Sequence, residues 1–586
     1  MLKFCKNFLL PIVLPIIFLC CCQPKYSTSS WRGEAFINHN KQQSQLVVGN
    51  KHMIATSELT ASQVGNKILQ QGGTAIDAAI AAQMVLNVIE PQSSGIGGGL
   101  FLLYHHNKSN TNIYFDGRET APSKAFAEMF LDANGKVREF HSVLGGGLSV
   151  GTPGGLHALY TAHKKYGKLP WHQLFQPAIK LAQNGYPLSN KTFANLAKFQ
   201  HIATSADMAV YFDNKKQPKP IGTIIKNPAL AKTLHKIARY GIKPFYQGDI
   251  AKNMINKIQN SPINPGYLQL EDLKNYRSTS GELLCAPYRQ YKVCSMPLPS
   301  SGGIAILQIL GILQNFDLGK LQPNSVEAIH LISEATKLAY ADRNQYVSDY
   351  ASTPIKQMLD PNYLKHRASL INPKTAQQKV SYGLFNNISN KSTAGEVIEK
   401  PSTSHLSIVD KYGNAVAMTT SIEYAFGSAL MVDGFLLNNQ LTDFSMAPTN
   451  SKGEPVANRV QPNKKPRSSM SPTFVFDNQG RLIMALGSPN GPRIIQHVLK
   501  VLLAVLDWNF DIHQAVISPN FITLNNELEL EQNSELIALK TNLQKMGHKV
   551  KEVAIPSGLQ VIYLDRNSNK IYGVGDYRRN GVAIGK

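Results

Sequence analysis

The chain has 586 residues, more than one ordinary hydrophobic core organises, so two domains or one large multilayer sandwich is expected. A hydrophobic fraction of 43% and the absence of a long low-complexity tract exclude wholesale disorder. The formal charge is +22, but its densest pieces, Lys215-Lys216 with Lys219 and Lys464-Lys465 with Arg467, are short; without a helix-turn-helix, zinc-ligand spacing or aromatic-rich RNA signature, the excess reads as solvated surface and no nucleic acid is expected as partner.

In chain order, the N-terminus reads as a targeting segment. Lys3 and Lys6 precede an apolar run, Leu9 to Leu19, that is short for a membrane span and carries two prolines. Residues 1–22 are therefore expected to be an export signal, which implies a periplasmic location. Leu19-Cys20-Cys21-Cys22 loosely resembles a bacterial lipoprotein box, with Cys21 where a smaller residue is usual, and adds a lipid anchor to a membrane as a further expectation. Four of the six cysteines lie here; Cys285 and Cys294 alone belong to the body, where no Cys/His cluster suggests a structural zinc. No metal and no cofactor are expected.

Residues 24–50 are polar and read as a linker. Ser57 or Thr60 caps a first helix carrying Val64, Ile68 and Leu69, which Gly72-Gly73 stops. Thr74 opens an Ala-rich helix, apolar on most faces and so buried, that ends before Pro91. Ser94 to Gly99 breaks helical structure ahead of a strand, Leu100 to Tyr104. From Pro153 to about Leu370 the chain reads mostly helical. Within that stretch, Leu283 to Met296 reads as a hairpin turning at Arg289-Gln290. This register sets Tyr288 opposite Tyr291 and Cys285 opposite Cys294 in a non-hydrogen-bonded pair, near enough for a disulfide or simply two facing small residues. Residues 371–402 read as an exposed loop. A hairpin follows, His405 to Asp410, a turn at Lys411-Tyr412-Gly413, and Asn414 to Thr420. Leu482 to Leu486 is a further strand.

Thr403-Ser404-His405 thus opens a β-rich segment directly after a loop. Taken alone, a Thr at a strand start is only a β-former. Other stretches change its weight. Asn438-Asn439-Gln440 is followed by Asp443-Phe444-Ser445. Pro466-Arg467-Ser468-Ser469-Met470-Ser471-Pro472 sets hydroxyls in a proline-braced loop. Gly487-Ser488-Pro489-Asn490-Gly491 follows a strand and precedes a helix, Arg493 to Leu506, where backbone N–H groups suit an oxyanion. Upstream, Asp116-Gly117-Arg118-Glu119-Thr120-Ala121-Pro122 presents an Arg whose fork suits a ligand carboxylate.

With Gly97 to Gly99 and Pro299-Ser300-Ser301-Gly302-Gly303, these motifs make the sequence from about Lys51 to Ile584 resemble the γ-glutamyltranspeptidase family. The resemblance implies an α+β fold, the four-layer αββα sandwich of N-terminal-nucleophile hydrolases. It also implies self-cleavage between Ser402 and Thr403, giving a large subunit, 23–402, and a small subunit, 403–586, that stay together. Thr403 would then be nucleophile and, through its freed α-amino group, base. This makes physical sense, since a threonine hydroxyl is a poor nucleophile without a base and an α-amino group has a reference pKa of about 7.7–8.0. His405 reads as packing. By resemblance, Arg118, Ser468 and Ser469 bind the α-carboxylate of a γ-glutamyl donor such as glutathione. Gln440, Asp443 and Glu423 face its α-ammonium, Ser421 supports the nucleophile, and the N–H groups of Asn490 and Gly491 hold the oxyanion. Water, amino acids or dipeptides are the implied acceptors.

The sequence departs from the family pattern at three places. Ser421 stands where Thr is usual, Glu423 where many members have Asn, and Asn490 replaces the first of two loop glycines. Two other readings compete: the same fold with another donor, as in glutaryl-cephalosporin acylases or poly-γ-glutamate depolymerases, and a non-catalytic basic surface-binding protein. Residues 445–463 match the place of an active-site lid in many relatives but hold no aromatic latch.

Overall fold

Two seven-stranded antiparallel sheets stack face to face between helical layers. The computed structural model describes residues 38, 40–199, 206–349, 353–385, 393–394 and 402–586; the proposed signal, 1–22, lies outside them. The first sheet runs in the order Val582–Gly585, Met53–Thr56, Ser404–Val409, Ala415–Ser421, Gly99–His106, Thr111–Asp116 and Thr279–Gly281. The second runs Val47–Gly49, Lys570–Gly575, Gln560–Asp565, Leu482–Gly487, Thr473–Phe476, Tyr291–Ser295 and Leu284–Tyr288.

Period two decides what fills the space between the sheets. Along Ser404–Val409, His405 and Ser407 point to the second sheet: the His405 ring lies against Gly487, and Ser407 Oγ donates to the Gln560 carbonyl. Val409, Phe101, Leu103, Phe474, Phe476, Ala485 and Ile562 share the core there. The opposite face meets the helix Ala75–Ile89, every residue of which is buried. Helices Gly302–Leu313 and Ile494–Leu506 cover the second sheet. A sheet covered on both faces is uniformly buried, as Ser404–Val409 and Ala415–Ser421 are. The architecture is the expected four-layer αββα sandwich.

Strands from either side of Thr403 interleave. Ser404–Val409 pairs with Met53–Thr56, and Ala415–Ser421 with Gly99–His106. Thr473–Phe476 pairs with Tyr291–Ser295 in the other sheet. Separating the two segments would break both sheets.

Local expectations fare unevenly. Thr74 caps its helix in a capping box with Asp77. The first helix, Leu59–Gln70, is capped by Glu58 rather than Ser57 or Thr60. Ser57 is engaged elsewhere, its Oγ donating to Glu90 at 2.8 Å, while the Glu58 carboxylate takes the N–H groups of Thr60 and Ala61. The linker reading fails for residues 40–50: Val47–Gly49 pairs with Lys570–Gly575, and the Ser44 hydroxyl donates to the Gly575 carbonyl at 2.6 Å. Cys285 and Cys294 do oppose each other in the expected register and form a disulfide, with Cα atoms 4.1 Å apart. The basic patch Lys464 to Arg467 is not the solvated surface expected. Lys464 and Arg467 are buried, and Lys465 Nζ donates to Asp116 at 2.6 Å. Among the described residues, no helix is long and apolar enough to cross a membrane.

Candidate active site

Thr403 is placed by the strand it precedes. Ser404 pairs with Thr420, so the residue before Ser404 is held beside Ser421 at the end of the neighbouring strand. Thr403 is buried, and its Oγ1 lies 2.5 Å from the Ser402 carbonyl oxygen and 3.2 Å from Ser421 Oγ. Ser421 Oγ donates to the same carbonyl at 2.9 Å and accepts the Glu423 N–H at 2.9 Å. The Ser402 hydroxyl donates to the Gln92 carbonyl at 2.5 Å. The peptide bond before Thr403 is thus fixed from three directions by polar contacts.

Beneath it lies a buried ionic group. Glu90 accepts from Lys191 Nζ at 2.6 Å, from Ser57 and, at 3.0 Å, from Ser404 Oγ. Burial alone would raise the Glu90 carboxyl; the Lys191 ammonium and Arg579 guanidinium outweigh it and hold the group below its usual range. His405 bonds Thr419 Oγ1 at 2.8 Å and Ser407 Oγ at 3.1 Å, and burial pulls its imidazole down to about 3. It is a neutral packing residue between the sheets.

One cleft brings most of the sequence-derived site together. Arg118, Thr403, Ser421, Glu423, Gln440, Asp443, Ser468, Ser469 and Gly491 all line it. Met470 and Ile494 complete the wall, apolar neighbours that motif reading did not single out. Asn490 is absent from the lining: its side chain donates to the Pro556 carbonyl at 3.0 Å. Its backbone adopts φ 107° and that of Gly491 φ 56°. Asn tolerates the left-handed region better than most residues. These residues stand just ahead of the helix Ile494–Leu506, where N–H groups lack intrahelical acceptors.

The cleft mixes charges. Arg118 Nη2 donates to Asp443 Oδ2 at 2.6 Å and to the Arg467 carbonyl at 3.0 Å, and Nε donates to the Pro466 carbonyl at 3.1 Å. Much of the fork assigned to a ligand is therefore already fixed by the protein. Gln440 Nε2 donates to the same Asp443 oxygen at 2.6 Å, while Gln440 Oε1 is buried with no partner among the described residues. Glu423 holds φ 74°, a conformation costly to a residue with a Cβ. Glu119, next to Arg118, is buried; burial raises its carboxyl to about 8 against the lowering pull of Arg118.

A buried grouping with metal-ligand chemistry lies elsewhere among the described residues, His330, Glu334 and His548. Its atoms already have partners. His330 Nδ1 meets His548 Nε2 at 2.9 Å, His330 Nε2 meets the Asn372 carbonyl, and the Glu334 oxygens take Lys337 Nζ and the Gln377 N–H.

The family model "Gamma-glutamyltranspeptidase" matches residues 61–586. The chain is 36% identical over 553 residues to the glutathione hydrolase proenzyme of Bacillus subtilis, covering 92% of each chain. It is 36% identical over 544 residues to the glutathione hydrolase proenzyme of Escherichia coli, covering 90% of each. A solved cephalosporin acylase from Bacillus halodurans superposes with a TM-score of 0.81 at 25% identity, covering 92% of this chain and 97% of that one. The sandwich is the N-terminal-nucleophile hydrolase fold, and the chain belongs to the γ-glutamyltranspeptidase family.

Proposed function

We propose that this protein is an autoprocessing γ-glutamyltransferase and glutathione hydrolase with Thr403 as its nucleophile. The observation that carries the reading is the make-up of the cleft. A guanidinium and two hydroxyls, Arg118, Ser468 and Ser469, suit an α-carboxylate. Asp443, Glu423 and Gln440 suit an α-ammonium, and Thr403 lines the same space. An acyl group lacking an ammonium, such as glutaryl, would bring no donor to Gln440 Oε1, a buried acceptor without a partner among the described residues.

Self-cleavage comes first. Thr403 Oγ1 adds to the Ser402 carbonyl carbon, and the Ser402–Thr403 C–N bond breaks. The acyl group moves to Oγ1 and the departing nitrogen gains a proton. Water then hydrolyses the ester, leaving a Ser402 carboxylate and a free Thr403 amine. Ser421, already bonded to the Ser402 carbonyl oxygen, stabilises the charge that develops there. In the mature enzyme that amine takes the Thr403 hydroxyl proton as Oγ1 attacks the γ-carbonyl. The N–H groups of Asn490 and Gly491 receive the oxyanion. The leaving amine takes the proton, and a γ-glutamyl ester remains on Thr403 for water, an amino acid or a dipeptide to remove. The interleaved strands would keep segments 23–402 and 403–586 together.

Three expectations test this. Thr403→Ala should remain one full-length chain, and Ser421→Ala should slow self-cleavage by about 10²-fold, as losing one oxyanion donor does. The small wild-type fragment should begin at Thr403 on N-terminal sequencing. Cleavage of Thr403→Ala at the same bond would contradict the assignment.

Arg118→Lys should lower kcat/KM for glutathione by roughly 10–100-fold while self-cleavage, which needs no donor, continues. Unchanged donor kinetics, or a wild-type preference for a glutaryl amide or poly-γ-glutamate over glutathione, would refute the donor assignment.

Export to the periplasm with lipid attachment at Cys22 is proposed from the N-terminal sequence. Palmitate labelling of the large subunit, lost on Cys22→Ala, would support it; a soluble periplasmic large subunit beginning beyond Cys22 would exclude the anchor.

A further inference from the structure

The motif Pro299-Ser300-Ser301-Gly302-Gly303 plays no part in the chemistry above, yet it forms the bed on which the Ser468–Ser469 pair rests. Ser300 and Ser468 are bridged in parallel. The Ser468 N–H donates to the Pro299 carbonyl at 3.2 Å. The Ser468 carbonyl accepts the Ser301 N–H at 2.7 Å and the Ser301 hydroxyl at 2.8 Å. Ser300 Oγ donates to the Met470 carbonyl at 2.8 Å. A Cβ on Gly302 would stand 1.9 Å from Ser471 Oγ and 2.7 Å from the Ser469 carbonyl, so only glycine lets the two segments lie this close.

Arg343, buried near the end of the helix Val326–Tyr346, ties the two together. Its Nε donates to Ser301 Oγ at 2.8 Å, and its Nη2 donates to Ser469 Oγ at 2.7 Å. Arg467 answers from the loop, its Nη1 donating at 3.3 Å to the Arg343 carbonyl, which also takes the Val347 N–H at 3.0 Å.

A hydroxyl donates one hydrogen bond. Ser301 accepts from Arg343 and gives its proton to the Ser468 carbonyl. Ser469 Oγ accepts from Arg343, so its own O–H remains for the cleft that Ser469 lines. Ser468 Oγ likewise accepts the Met470 N–H at 3.2 Å, leaving its O–H to donate. Both hydroxyls are thereby set as donors, the state an anionic ligand group requires.

We propose that Arg343, acting through Ser301 and Ser469, is the positioning residue that makes the Ser468–Ser469 pair a carboxylate receptor. It does not touch the donor; it orients the hydroxyls that do. The proposal rests on the γ-glutamyl reading of the cleft. A lysine cannot reproduce two divergent N–H bonds from one planar fork.

The test uses the full chain and two p-nitroanilide donors: the γ-glutamyl amide, and the 4-aminobutyryl amide, which is the same acyl group without its α-carboxylate. Arg343→Lys should raise KM for the γ-glutamyl donor about tenfold, leave its kcat within about threefold, and leave KM for the 4-aminobutyryl donor unchanged. Ser301→Ala should move the same ratio in the same direction by less, because the Ser301 N–H still holds the Ser468 carbonyl. Appearance of the two fragments on a gel reports folding. If Arg343→Lys does not process, Ser301→Ala decides. An unchanged KM, an equal rise for both donors, or a loss confined to kcat would overturn the role. A wild-type protein that turns over only the donor lacking the carboxylate would sink the γ-glutamyl reading instead.

Discussion

The antiparallel pairing of Ser404 with Thr420 is the constraint on which the rest depends. It fixes the start of one buried strand against the end of another, so the two hydroxyls that flank those ends, on Thr403 and Ser421, meet over one carbonyl. The strand Ser404–Val409 cannot slip by one residue without turning His405 and Ser407 away from the second sheet. The Glu90–Lys191 pair adds a further anchor through Ser404, within the interior, where a charged group is retained only with partners. Precision at Thr403 is therefore a property of the sandwich and not of a local loop.

The cleft shows how the same interior handles charge. Arg118, Arg467, Arg578 and Arg579 are all buried almost completely. Arg118 is fixed by Asp443 and two backbone carbonyls, and Arg578 by Glu531 and Asp576. Guanidinium planes held this way are fixed in place without a ligand, so the cleft is preorganised. The Ser469 hydroxyl belongs to the same scheme, set by Arg343, while the Met470 N–H sets that of Ser468.

Much of this was legible in the sequence because it is carried by residues with restricted roles. Thr74 with Asp77 announces a helix start, the Cys285–Cys294 register follows from a two-residue turn, and the candidate site residues other than Ser402 and Asn490 line one cleft. What was not legible depends on partners distant in sequence. Val47–Gly49 is a short edge strand in a polar stretch, and its partner lies near the other end of the chain. Ser57 was a sound cap by propensity, but Glu90 takes its hydroxyl, so the cap passes to Glu58. Lys464 resembles surface charge in sequence. Its ammonium instead donates to the carbonyls of Ala457 and Arg459, and burial brings it down to about 7. Arg343 carried no motif signal of its own, since the two hydroxyls it holds, on Ser301 and Ser469, belong to different segments.

The central claim is that Thr403 Oγ1 becomes acylated by the γ-glutamyl group. Rapid acid quench of the processed enzyme with a γ-glutamyl donor, followed by peptide mass mapping, tests it directly. The account predicts a γ-glutamyl mass increment on the peptide beginning at Thr403, removed by mild base as an ester would be. Turnover with that peptide unmodified throughout and the increment on another residue would contradict it.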